Sequence, residues 1–335
     1  MRRCIILTPA ALTASALQKT PLRRPQVGLH AVSRESQWQW QEDSKWTERE
    51  NTIRYASEGP ADGPPVLFLH GFGSSLETYR ENAPALAAAG YRCHRLDLLG
   101  LGLSEKAPGP YSIGRWRQQA AAFLEANANG KPAILVGNSI GSLVSLDVAA
   151  KRPELVKGLI LNNCAGGMNS KFAVTDPAVS EPSRAVAGVF FAVLDFLLGI
   201  KPLARSLFDS VRAREDGEAV LKQVYTNSER ADAVIVDSTL EPAEDPAALD
   251  VFVEILSGNP GPRPDEIMDA VTCPIHCLWG RNDQITPLDG TGGRYFQGLA
   301  AEGRVSLTLV DAGHVPHDDV PDEANADYLA WLKSI

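Results

Sequence analysis

The chain has 335 residues, 44% hydrophobic and 22% charged, with a formal net charge of −9. That balance belongs to a globular chain with a large core and excludes a disordered, collagenous or coiled-coil protein. So acidic a chain has no bulk electrostatic grip on nucleic acid.

The charge is unevenly placed. Residues 1–34 hold Arg2, Arg3, Lys19, Arg23, Arg24 and Arg34, and the first acid is Glu35. Removing these six positive charges leaves −15 on the remainder. An Arg-rich, acid-free leader bearing Ser, Thr and Ala fits a plastid or mitochondrial transit peptide. The alternative is a plain N-terminal tail on a cytoplasmic protein. Residues 1–36 are therefore set apart, and the fold is expected in 37–335. The five cysteines are odd in number and scattered, which argues against a disulfide framework and for a reducing compartment.

From residue 37 onward, short β-rich runs alternate with helical patterns. Gln37–Gln41 and Thr52–Ala56 read as strands, and Val66–Leu69 as a strand buried on both faces. A helix follows at Glu81–Ala89, then strand Tyr91–Leu96, helix Ser112–Ala128 and strand Ala133–Val136. Helix Ser142–Ala150 and strand Val156–Leu161 continue the rhythm. From about 166 to 269 the pattern is helical with Pro-rich joints. Val186–Ile200, its most apolar stretch, contains Asp195 and falls short of the ~20 residues of a spanning helix, so no transmembrane segment is expected. Strand Pro274–Leu278, a helix near Gly292–Leu299, strand Val305–Val310 and helix Asp322–Leu332 close the chain. This alternation predicts an α/β fold: a mostly parallel sheet flanked by helices, with a helical cap inserted at about 166–269. Cys273 and Cys277 flank His276 within one of these strands, and buried cysteines with a satisfied histidine explain them better than a metal site.

Ligands of such sheets bind beyond the carboxyl ends of the strands. After Ala133–Val136 comes Gly137-Asn138-Ser139-Ile140-Gly141, a G-x-S-x-G string between a buried strand and a helix. In that position glycines permit the sharp turn that presents a serine hydroxyl. A serine becomes nucleophilic when a histidine takes its proton, and an acid orients that histidine. Asp283 follows the Pro274–Leu278 strand, and His314 follows Val305–Val310. The order Ser, Asp, His along the chain is that of a hydrolase triad on this sheet. His317 is the rival base, three residues on, but Gly313 gives His314 a sharp turn directly after its strand. Asp311 is expected to serve turn chemistry. Where other chains of this build place the acid, after the next strand, this one has Asn162 and Asn163. An oxyanion needs two N–H donors: the Ile140 amide, and the Phe72 amide in the glycine-bearing loop His70-Gly71-Phe72-Gly73. This chemistry calls for no metal and no organic cofactor.

Taken together, His70-Gly71-Phe72-Gly73, Asp97-Leu98-Leu99-Gly100-Leu101-Gly102, the Ser139 motif, Trp279-Gly280-Arg281-Asn282-Asp283 and Gly313-His314 resemble the α/β-hydrolase superfamily. Within it the chain is similar to the pheophytinase-like plastid hydrolases of plants and algae. The cues are Trp38-Gln39-Trp40, Leu221-Lys222-Gln223-Val224-Tyr225-Thr226 and Gly313-His314-Val315-Pro316-His317-Asp318-Asp319. Ser142, where relatives carry Gly, and Val315, where Cys is expected, depart from that pattern and are expected at the pocket wall. The resemblance implies a serine carboxylic-ester hydrolase of a plastid, acting on a small-molecule apolar ester such as a phytyl ester. Phe190, Phe191 and Leu194 are expected to roof the pocket. A ligand receptor of the same build, or a thioesterase, lipase or acyltransferase, would share the constellation. Oligomeric state is not encoded in any motif.

Overall fold

The computed structural model describes residues 34–44 and 47–335. Its eight strands are β1 (Arg34–Ser44), β2 (Thr47–Glu58), β3 (Pro65–Leu69), β4 (Arg92–Leu96), β5 (Ala133–Asn138), β6 (Val156–Asn162), β7 (Ile275–Gly280) and β8 (Ser306–Val310). They form one sheet in the order β1-β2-β4-β3-β5-β6-β7-β8. The β1–β2 and β2–β4 pairs are antiparallel, and all later neighbours are parallel. The architecture is the mostly parallel α/β sheet expected from the alternation of elements, and it is the α/β-hydrolase fold that the resemblance implies.

The central strands show why continuous apolar runs were needed. Leu67, Leu69, Leu135, Leu159 and Leu161 point to one side of the sheet, into a core with Trp116, Phe123, Leu143 and Phe296. Val66, Phe68, Ile134, Val136 and Ile160 point to the other, against Leu86, Tyr328 and Leu332. Successive side chains alternate faces, so a strand covered on both sides must be apolar at every position.

The helices are α1 (Asn82–Ala88), α2 (Ile113–Asn127), α3 (Ile140–Lys151), α4 (Phe172–Thr175), α5 (Glu181–Leu198), α6 (Lys201–Arg212) and α7 (Arg214–Val224). They continue as α8 (Ala233–Leu240), α9 (Ala248–Ser257), α10 (Pro264–Ile267), α11 (Thr291–Ala301), α12 (Pro316–Asp319) and α13 (Pro321–Leu332). Everything from α4 to α10 lies between β6 and β7, with no strand among the described residues there. Local chemistry sets several starts: Ser112 accepts from the Arg115 amide ahead of α2, and Asp232 accepts from the Val234 and Ile235 amides ahead of α8.

Strand β1 starts at Arg34, ahead of the boundary drawn at residue 37. The rest of the leader, with Cys4, lies outside the described residues. Trp38 and Trp40 anchor this edge strand: Trp40 is buried, and Trp38 meets Phe123 of α2 edge-on at 5.3 Å. Beside them Arg115 grips the buried Glu42 carboxylate through two hydrogen bonds of 2.9 and 2.8 Å.

Candidate active site

Ser139 sits between the last residue of β5 and the first of α3 with φ 55° and ψ −119°. A non-glycine residue there stores roughly 1–3 kcal/mol of backbone strain. The flanking glycines answer to close approach: a Cβ on Gly141 would lie 2.1 Å from the Leu69 carbonyl, and one on Gly137 would lie 2.4 Å from the Ser142 amide. The start of α3 is thus pressed against the end of β3. The Gly71 loop lies over Ser139, since a Gly71 Cβ would fall 3.2 Å from the Ser139 Cβ. Neither the Phe72 nor the Ile140 amide donates to an acceptor among the described residues. The Ile140 amide is next to Ser139 in the chain, and the Phe72 amide follows Gly71 in the loop over it. His70 holds that loop: its ring meets the Gly71 carbonyl at 2.8 Å, and its Nε2 accepts from the Leu98 amide at 3.1 Å. Burial pushes the His70 pKa down, against the pull of Asp97.

Asp283 and His314 come together across the ends of β7 and β8, with His314 Nδ1 2.8 Å from Asp283 Oδ2. The carboxylate is densely solvated by the protein. Oδ1 accepts from the Ile285 amide at 2.7 Å and the Thr286 amide at 3.1 Å. Oδ2 accepts from the Thr286 hydroxyl at 2.5 Å and from Asn163 Nδ2. Burial alone would raise the acid, but the hydrogen bonds from His314, Thr286 and Asn163 hold it down at about 2. The His314 carbonyl accepts from Asn138 Nδ2 at 2.9 Å, tying the histidine loop to the residue before Ser139. Ser139, Asp283 and His314 are each less than a tenth exposed.

Asn163, Thr286 and Asn138 were not foreseen as site residues. Asn163 stands where another arrangement would put the acid, and it uses that post to clamp Asp283 and, through Oδ1, the Gly280 amide at 3.0 Å. Asp311 takes its hydrogen bond from Asn282 at 2.6 Å. His317 is fully buried and stacked on Tyr79 at 4.3 Å, and both of its ring nitrogens lack partners among the described residues. Burial and the neighbouring His314 bring its pKa down to about 3. We expect His314→Ala to abolish turnover, whereas His317→Ala lowers the melting temperature and leaves most of kcat. Parallel kinetics and melting curves on the two variants check this. His276 is satisfied by Ser306 at 2.8 Å and by Asp327, and Cys277 beside it is buried.

Two of the resembling segments turn out to be one contact. The His314 amide donates to the Val224 carbonyl at 2.8 Å. Asp319 accepts from the amides of Gly313 and Thr226 at 2.7 Å and of Asn227 at 2.9 Å. Gly313 is required here by proximity, because a Cβ would lie 2.2 Å from the Val224 carbonyl. Its backbone is outside the left-handed region, so the sharp-turn expectation gives way to a close-approach reason. Asp319→Ala strands three amides, and we expect a stability loss of roughly 2–3 kcal/mol with a fall in kcat. Urea denaturation with m-values, read beside kinetics, measures both.

An apolar cavity of about 260 Å³ adjoins the site, lined by Phe72, Leu101, Phe208, Leu221, Val224 and Phe252 among others. The cavity connects to the site through Val224, whose carbonyl accepts from the His314 amide, and through Phe72, which follows Gly71 in the loop over Ser139; Ser139, Asp283 and His314 are not among its lining residues. A second cavity of about 490 Å³ lies beside it, bounded by Tyr111, Leu198, Ala204 and Glu254 and sharing Lys106 and Val251 with the first. Phe190, Phe191 and Leu194 line neither cavity. Phe190 is 61% exposed, and the other two are half-buried on α5. The roof over the first cavity comes instead from α6–α9, and the apolar face of α5 is exposed. Ser142 and Val315 are also absent from the cavity walls. Ser142 is fully buried and donates to the Asn162 carbonyl at 3.2 Å, and Val315 packs with Tyr225, Ala231 and Ile235.

The chain is similar to several known proteins. The chain is 27% identical over 312 residues to the chloroplastic pheophytinase of Arabidopsis thaliana, covering 82% of this chain and 62% of that one. It thus spans less than two thirds of that relative's length. Lipase 1 of Psychrobacter immobilis is 25% identical over 287 residues, covering 83% of this chain and 79% of the lipase. A thermophilic esterase from Thermogutta terrifontis superposes with a TM-score of 0.66 at 19% identity, covering 89% of this chain and 98% of the esterase. The sequence family described as the alpha/beta hydrolase fold matches residues 64–321, and with that match over most of its length the chain belongs to the α/β-hydrolase family.

Proposed function

We propose that this chain is a serine-dependent carboxylic-ester hydrolase. One observation carries the reading: His314 is held by Asp283 at 2.8 Å, on a loop hydrogen-bonded to the residue before the strained Ser139. In this mechanism Asp283 fixes a proton on His314 Nδ1, leaving Nε2 as the base. Nε2 takes the Ser139 proton as Oγ attacks the ester carbonyl carbon, and the amides of Phe72 and Ile140 hold the resulting oxyanion. Collapse expels the alcohol, which takes the proton from His314, and leaves an acyl group on Ser139. Water, deprotonated by His314, then releases the acid and restores the serine.

The cavity supports a substrate class. Its walls are mostly apolar, with Lys106 and Arg212 among them, which suits a long-chain or phytyl ester, in line with the pheophytinase-like resemblance. Residues 166–269 act as a helical cap on a domain that begins with β1 at Arg34, and the leader ahead of that strand directs the chain to a plastid. We expect Val220→Glu, a half-exposed cavity-lining position, to impair phytyl and long-chain esters selectively, since a bound chain would desolvate the new charge. Rates on short acetyl esters should stay near wild type. Assaying the protein against acetyl esters, triacylglycerols and phytyl pigments tests the proposal. Cleavage of short esters alone would discard the phytyl substrate and keep the hydrolase. A single burst without cycling would discard the enzyme in favour of a ligand receptor.

A further inference from the structure

Helix α5 leaves a hydrocarbon face uncovered. Val186, Val189, Phe190, Val193 and Phe196 are 53–71% exposed, and their 3–4 residue spacing puts them on one stripe. Ile200 and Leu203 carry the apolar surface over the joint into α6, where the two helices bend by 101°. Asp195 is the one charged residue in 185–200, and Lys171 pairs with it at 2.7 Å. Globular proteins rarely expose a contiguous apolar patch of this kind without a partner.

We propose that this face docks the protein in the plane of an anionic lipid bilayer. Four features of the structure favour lipid. First, the stripe offers no hydrogen-bonding side chain along about four turns, whereas protein interfaces carry roughly one hydrogen bond per 100–200 Å². Second, the apolar segment 185–200 would be about 24 Å long as a helix, short of the ~30 Å hydrocarbon core, so it suits lying on a bilayer and not crossing one. Third, Arg184, Lys201 and Arg205 flank the stripe. Residues 181–212 hold four basic and three acidic side chains, a net +1 within a chain of −9, the sign that an anionic surface attracts, although Arg184 pairs with Glu181 and both Arg205 and Arg212 pair with Asp209.

The fourth is continuity with the site. At the joint Leu198, Gly199, Lys201 and Ala204 line the larger cavity, and farther along α6 Phe208 and Arg212 line the one beside Phe72. A docked bilayer would meet the protein where these walls begin, so an apolar ester could enter the larger cavity from the lipid. The transfer of an ester rests on the hydrolase reading above; the docking itself does not.

The test is co-sedimentation of the full chain with sucrose-loaded vesicles of phosphatidylcholine and phosphatidylglycerol (7:3), compared with Val189→Glu/Phe196→Glu. The wild type should pellet with the vesicles, and the double variant should partition more than tenfold less. Melting temperature and short-ester turnover in vesicle-free buffer should be unchanged. Phe196→Trp, a conservative change, should show quenching by brominated lipid beyond that of the wild type. Equal pelleting of both proteins, no pelleting of the wild type, or no added quenching would overturn the proposal. A wild-type dimer in sedimentation velocity that the double variant dissolves would assign the face to a second copy instead. Loss of short-ester turnover in the wild type would count against the hydrolase reading and leave docking to its own readout.

Discussion

Ser139→Ala is expected to lower kcat by roughly four to six orders of magnitude, with the fold intact. The substitution removes the acyl-enzyme route and leaves the two open amides and the cavity, which account for the residual rate. The backbone at this position sharpens the expectation. Ser139 is held at φ 55° by the packing of α3 on β3, so Ser139→Gly releases strain of about 1–3 kcal/mol against an entropic cost of roughly 0.5–1. The glycine variant should be as inactive as the alanine variant while melting no lower than wild type. A glycine variant that melts well below wild type would show that the turn is unstrained.

Asp283→Asn should lower kcat by about four orders of magnitude, because a neutral amide no longer holds the His314 proton on Nδ1 or stabilises the imidazolium. The same substitution has a pH signature. The folded carboxyl is held at about 2, below its ordinary value near 3.9, so ionised Asp283 stabilises the fold at every pH above about 4. As pH falls from 4 toward 2 that contribution, about 2 kcal/mol, is lost. Acid unfolding of the wild type should therefore steepen in that window, and Asp283→Asn should remove this component of the slope. Urea melts at pH 2.5, 4 and 6 read it. A variant that keeps the full acid dependence would place the acid-sensitive group elsewhere.

The parts of this molecule legible in the sequence are those where one physical constraint acts alone. The central strands must be apolar at every position because both faces are covered, and they were found within a residue or two. The elbow needs small residues at fixed offsets from Ser139, and the order of Asp283 and His314 follows from strand ends. Edge strand β1 reads poorly, since Arg34–Ser44 is polar on its outer face and only Trp38 and Trp40 mark it. The clamp from Asn163 to Asp283 joins residues 120 apart, and an asparagine in a turn has a local explanation that hides the distant one. Helix α5 is hydrophobic on nearly every side, so its composition could not tell which side the protein covers. The structure turns Phe190 outward and gives the cavity roof to α6–α9. The same ambiguity affected Gly313, where closeness to the Val224 carbonyl had no signal within the local sequence.

The most direct measurement is to treat the protein with a fluorophosphonate, which phosphonylates an activated serine, and to map the adduct by peptide mass spectrometry while following ester turnover. The account predicts a single adduct on Ser139 whose growth matches the loss of activity, and none on Ser139→Ala. Complete inactivation with the adduct on another residue, or full turnover by protein labelled at Ser139, would contradict it.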